Sequence, residues 1–141
     1  MEKLSIRPRE VVQREFVQEW IAKAEEDLNG ARALLAQRRG FLGLVGYHAQ
    51  QAAEKYLKAF LTHHQIEFPK THEIEELLKL AAQVDAGMVS ALREAEALTN
   101  YGVDARYPGG PVPAGRSEAQ EAIDLAERVR EYVLGSLPHT S

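Results

Sequence analysis

Every stretch of this chain with a regular apolar pattern repeats at the helical period of about 3.6 residues, and none alternates at a period of two. Such a chain has no strand faces to bury and is restricted to helix packed on helix. The run from Tyr47 to Lys58 is the clearest case. At about 100° per residue, Val45, Ala49, Ala52, Ala53, Tyr56, Leu57, Ala59 and Phe60 fall within one half of a helical wheel. His48, Gln51, Lys55, Lys58 and Thr62 line up on another side in steps of three or four. The first set is a packing face. The second is unusual, because a merely solvated face is ordinarily filled with interchangeable Glu and Lys.

The remaining elements follow from the same period and its punctuation. Pro8 suits a first helical turn, and Phe16, Trp20, Ala24, Asp27/Leu28, Ala31 and Leu34/Leu35 carry an apolar line to about Gln37, as one rod or two joined segments. Arg38 and Arg39 sit where cations favour a helix C-terminus, with Gly40 as its cap. A second helix runs from about Phe41 to His63, with Gly43 and Gly46 marking a close backbone approach or a loosely held first turn. Pro69 ends regular structure, and Thr71 is placed to cap a third helix that packs through Ile74, Leu77, Leu78 and Ala81. After a break at residues 84–87, Met88, Ala91, Leu92, Ala95 and Leu98 mark a fourth helix ending near Tyr101 and Gly102. The stretch from Gly102 to Arg116 holds three of the six prolines and four of the ten glycines and reads as a long loop. Ser117 and Gln120 make a capping box for a last helix, with Ala122, Ile123, Ala126, Val129 and Val133 inward and Gly135 as its end. The 141 residues thus predict one domain, an all-α, up-and-down antiparallel four-helix bundle with room for an additional short helix. Its core spans about residues 8–134, followed by a tail from 135 to 141.

Composition removes several kinds of chemistry. With no cysteine there is no disulfide framework, thiolate nucleophile or Cys-based metal site, and a reducing cytoplasm is the expected home. No run approaches the ~18 apolar residues of a membrane span, and the N-terminus lacks the apolar core of a signal peptide. A net charge of −4 argues against wholesale electrostatic binding of nucleic acid but leaves room for a local basic patch. No His-Glu-x-x-His or Glu-x-x-His pair is present, His63 and His64 are adjacent and point apart, and so neither a metal nor another cofactor is expected. Ser90, Ser117 and Ser136 lack a nucleophile's context, and no Gly-rich phosphate loop joins a strand to a helix.

Two constellations remain. His48, Gln51, Lys55 and Lys58 offer donors, an acceptor and two positive charges along about 15 Å of one helix. Tyr101, Arg106 and Tyr107 combine aromatic rings with a guanidinium, the parts needed to stack on a base or fork onto a phosphate. Packing at the bundle end, or contact with a second subunit, explains the same residue types equally well. His72 follows the Thr71 cap, where the helix end favours a neutral, hydrogen-bonding imidazole.

The motif Tyr47-His-Ala-Gln-Gln-Ala-Ala-Glu-Lys-x-Leu-Lys-Ala59, then Pro69-Lys-Thr-His72, then Leu98-Thr-x-Tyr101 and Ala105-Arg-Tyr-Pro108, resembles the HEPN domain family, over about Trp20 to Val133. The resemblance implies a bundle of four or five helices, a homodimer, and a nucleotide- or RNA-binding protein partnered with a minimal nucleotidyltransferase in a toxin-antitoxin-like pair. Many relatives in the wider family are metal-independent ribonucleases carrying Arg, four to six intervening residues, then His. This chain departs from that pattern: nine or eight residues separate Arg38 or Arg39 from His48, and eight separate Arg130 from His139. The sequence reading is therefore a binding protein without catalysis of its own. Its rivals are a metal-independent ribonuclease toxin using Arg106 with His48 or His72, and a non-catalytic structural subunit.

Overall fold

The computed structural model describes residues 8–39, 41–102 and 108–138. It is all-helical, with no strand among the described residues. Helix α1 (Arg9–Leu35) is one unbroken rod, entered through Pro8 with φ −56° and ψ 147°. Helix α2 (Leu42–His63) follows, then two short helices, α3 (Ile74–Ala81) and α4 (Ala86–Leu92), and finally α5 (Arg116–Ser136). From Arg93 to Tyr101 the chain continues beyond α4 as a 3-10 segment, a tighter winding than the single fourth helix expected from the apolar spacing.

Side-chain contacts fix the directions. Gln13, near the start of α1, donates to the carbonyls of Thr62 and His63 at the end of α2, so these two helices are antiparallel. Arg116, at the start of α5, donates to the carbonyls of Leu35 and Gln37 at the far end of α1. Tyr132, late in α5, bonds Asp85 ahead of α4 (2.9 Å), whereas Tyr101, closing the 3-10 segment, bonds Glu118 at the opposite end of α5 (2.7 Å). Four runs therefore alternate up, down, up, down: α1, α2, α4 with its 3-10 extension, and α5. Helix α3 is the additional short element.

All eight residues of the apolar arc on α2 are at most 1 % exposed, and Ala122, Ile123, Ala126, Val129 and Val133 of α5 meet them in the core. Burying each large aliphatic or aromatic side chain in this layer contributes about 1.5–3 kcal/mol. The glycine expectation for α2 is met at Gly46, whose missing side chain admits the Tyr101 ring and Pro113.

Several local readings change. Phe16 is 55 % exposed, and Val17 takes the buried place on α1, because the inward stripe of a long straight helix drifts relative to a fixed repeat. Ala91 is likewise exposed. Thr71 does not begin α3: its hydroxyl accepts from Glu73 N–H (3.1 Å) and donates to Glu76 (3.0 Å), while Thr99 accepts from Ile74 N–H (3.0 Å). Thus the first helical amide of α3 is capped from across the bundle. Helix α5 starts at Arg116 from Gly115 and has no side-chain cap, so Ser117 lies inside the first turn. The same helix runs through Gly135 to Ser136. Gly40 lies outside the described residues.

Candidate functional site

The segment between α2 and α3 decides the character of the polar half of α2. Gln65, at φ 56°, turns the chain, and Ile66 N–H bonds back to Leu61 C=O (2.9 Å). The chain then climbs back along α2: the Phe68 ring lies 5.6 Å from Lys58 Nζ, and four residues later His72 reaches Glu54. Trp20 of α1 closes the other side, edge-on to Phe68 at 6.2 Å and 5.5 Å from Lys58 Nζ.

Beneath this cover lies a closed polar network. Gln50, Gln51, Glu54 and Lys58 are 0, 8, 3 and 7 % exposed. The Glu54 carboxylate accepts from Gln50 Nε2 (3.1 Å) and Lys58 Nζ (2.8 Å), and the Nδ1 of His72 lies 2.9 Å from it. Gln50 also donates to the His72 carbonyl (3.0 Å), and Gln51 donates to Gln50 Oε1 (2.8 Å). Among the described residues no buried side-chain donor or acceptor lacks a partner, which is the condition for such a network to be tolerated in a core. Lys58 pairs with one carboxylate and lies over two aromatic rings, which add a weaker cation–π attraction.

His48 and Lys55 belong to a different cluster, only partly buried, with side chains 31 and 22 % exposed. Asp27 of α1 places one carboxylate oxygen 2.9 Å from His48 Nδ1 and accepts from Lys55 Nζ through the other. An ionised carboxylate only accepts, so His48 carries its proton on Nδ1 and leaves Nε2 without a partner among the described residues. The imidazole is held in one orientation beside an ammonium group, partly exposed between α1 and α2.

The sequence line of four is thereby divided: His48 and Lys55 remain at the surface, and Gln51 and Lys58 are interior. The Tyr101 hydroxyl is committed to Glu118, and burial together with that bond pushes it up to about 12, so it stays a donor at any working pH. Arg106 and Tyr107 lie outside the described residues. Gly102, from which their segment leaves, faces the Gln50 side chain, since a Cβ there would lie 3.5 Å from its amide carbon. His72 shares Gln50 with Gly102, whereas His48 lies on the α1 side, about 120–160° around α2 from Gln50 and Glu54.

Asp27, Gln50, Glu54, Trp20 and Phe68 were not among the candidate site residues of the sequence. Gln50 and Glu54 carried a signal, an i, i+4 polar pair adjoining the apolar arc. Phe68 carried little, since a link of unknown course gives no hint of what it covers. No group of three metal-ligating side chains occurs among the described residues. No helix among them is long and apolar enough to cross a membrane.

The family model of the HEPN domain matches residues 17–136. This chain belongs to the HEPN domain family. An archaeal HEPN homologue known from its crystal structure is similar to it, with a TM-score of 0.65 and 28 % identity over 84 % of this chain and 95 % of the homologue. No curated protein matches it. HEPN domains form a nucleotide-binding and ribonuclease-type family. In this HEPN chain the match takes in both the Asp27 cluster and the buried Glu54 network.

Proposed function

We propose that this HEPN protein binds a nucleotide or RNA at the Asp27-anchored edge formed by His48 and Lys55, without cleaving it. In this reading it acts as a cytoplasmic homodimer and as the partner of a minimal nucleotidyltransferase in a toxin-antitoxin-like pair. The observation that carries the binding role is the hold of the Asp27 carboxylate on the Nδ1 of His48. Its Nε2 edge and the Lys55 ammonium are both presented by one carboxylate, an arrangement suited to phosphate or base-edge hydrogen bonds. The interior positions of Gln51 and Lys58 support a scaffold role for them. The partner and the dimer rest on family membership alone.

The test is the melting temperature with mononucleotides at millimolar concentration, and with short RNA, for the wild type and for His48→Ala/Lys55→Ala. Saturating ligand raises the wild-type midpoint, and the double variant weakens binding on the order of tenfold. No shift with any nucleotide or RNA leaves the structural-subunit reading. The same RNA, labelled and incubated in EDTA, gives no products. Cleavage lost in Arg106→Ala would replace the binding role by a metal-independent ribonuclease.

A further inference from the structure

We infer that the cleft between the first turns of α1 and the last turn of α5 is a second ligand site, one that takes a small monocarboxylate with an apolar body.

Three helices meet there. Arg14, Val17, Gln18 and Ile21 recur at steps of three and four, so they share one face of α1. The opposite wall is the end of α5, where Leu137 N–H still bonds Val133 C=O (3.1 Å) before the backbone becomes extended at φ −89° and ψ 147°. Leu134, Leu137 and Pro138 line that side, and His63, the last residue of α2, completes the lining. The space they enclose is about 560 Å³, within the range of clefts that take small organic molecules.

The lining divides by chemistry. Val17 and Ile21 of α1 and the three residues at the end of α5 give apolar walls, which favour removal of a ligand's hydrocarbon from water. The polar side chains are Arg14, Gln18 and His63, and no acidic side chain among the described residues lines the cleft. Arg32, Arg116 and Arg130 each donate to an acceptor on another element. Arg14, by contrast, has no ion pair or hydrogen bond among the described residues, and neither the Gln18 amide nor the His63 ring has a hydrogen bond there. The guanidinium is charged at every working pH, and its planar fork matches the two oxygens of a carboxylate. Gln18 and His63 place further donors on the same cleft.

One fixed cation beside apolar walls matches one carboxylate on a hydrocarbon body. An ammonium ligand meets no carboxylate in the cleft, and a phosphate monoester brings a second charge that no further arginine or lysine in the lining balances. His63 lies about 22 Å along α2 from His48, so this site is separate from the edge proposed above.

The experiment is a titration of the isotope-labelled protein with hexanoate, hexanol and hexylamine, followed by amide chemical shifts. Hexanoate moves the amides of residues 14–21, 63 and 134–137 as one cluster, with half-saturation on the order of 1 mM. Hexanol binds roughly tenfold more weakly, and hexylamine more weakly still. Arg14→Met keeps the stem and removes the charge, which weakens hexanoate on the order of tenfold and leaves hexanol unchanged. Arg14→Lys recovers part of that loss. Arg14 is exposed, and the amide spectrum itself checks that each variant is folded. Unchanged hexanoate affinity in Arg14→Met overturns the carboxylate assignment, as does hexanol binding as tightly as hexanoate. Shifts scattered over the surface, or none within the cluster, overturn the site itself. Dissociation of a dimer by hexanoate, read by light scattering, would make the cleft a subunit contact and overturn it as well.

Discussion

A Cβ on Gly46 would lie 2.9 Å from Tyr101 Cγ, closer than real Cβ atoms come to a ring, and a tight 3.1 Å from Pro113 Cγ. Gly30, in the interior of α1, has nothing within 4 Å of the same added atom. Two glycines with equal helix propensity therefore predict opposite signs. Gly30→Ala should stabilise by roughly 0.5–1 kcal/mol, because alanine removes backbone freedom from the unfolded chain and meets no obstacle. Gly46→Ala should destabilise by about 1–3 kcal/mol, since overpacking against a ring held by its bond to Glu118 exceeds the propensity gain. Urea midpoints measure both, and a stabilising Gly46→Ala would show that the Tyr101 ring is free to shift.

Helix α2 hides charge beneath the segment that follows it. Glu54→Ala would leave Lys58 buried with its carboxylate gone and its remaining neighbours two aromatic rings. The expected cost is about 3–5 kcal/mol in urea denaturation. Replacing both partners, Glu54→Leu/Lys58→Met, should cost far less, because no lone charge remains in the interior. Equal losses in the single and double variants would remove the pair from its proposed role as a mutually neutralised unit. This helix also shows how far a sequence can be read. Its packing arc was legible in full, since apolar periodicity and burial are the same physical fact. The placement of the polar half was not. Whether Lys58 faces water or Trp20 depends on the course of residues 64–73, and that course follows from long-range contacts rather than from local propensity. His48 and Lys55 were legible as a pair, but Asp27 was absorbed into an apolar line because its neighbour Leu28 satisfied the period. The caps at Thr71 and Ser117 were misplaced for a related reason. A capping residue is chosen by whichever oxygen reaches the orphan amide, and for α3 that oxygen belongs to Thr99.

Three long helices meet at one polar point at the scale of the molecule. The Tyr56 hydroxyl of α2 donates to the Glu25 carboxylate of α1, and Arg130 Nε of α5 donates to the same oxygen (2.6 Å). Burial alone would raise the Glu25 carboxyl, but the hydrogen bonds from Arg130 and Tyr56 and the Arg130 charge outweigh it and hold it below its ordinary value of 4.5. Burial pushes the Tyr56 hydroxyl well up, with the bond to Glu25 adding to it, so it remains a donor throughout the acid range. Because the folded carboxyl is depressed, its contribution is fully present above the unfolded value and is lost as pH falls through the folded one. Partial exposure of Glu25 and Arg130, 34 and 36 %, screens the ion pair, so the contribution is about 0.5–1 kcal/mol. The comparison is between the wild type and Glu25→Gln, which keeps an acceptor for Tyr56 but cannot ionise. Their urea midpoints, followed from about pH 6 to about pH 3, should differ at the upper end and converge at the lower. Curves that stay parallel across that range would mean that the charge on Glu25 does not help to hold α1, α2 and α5 together.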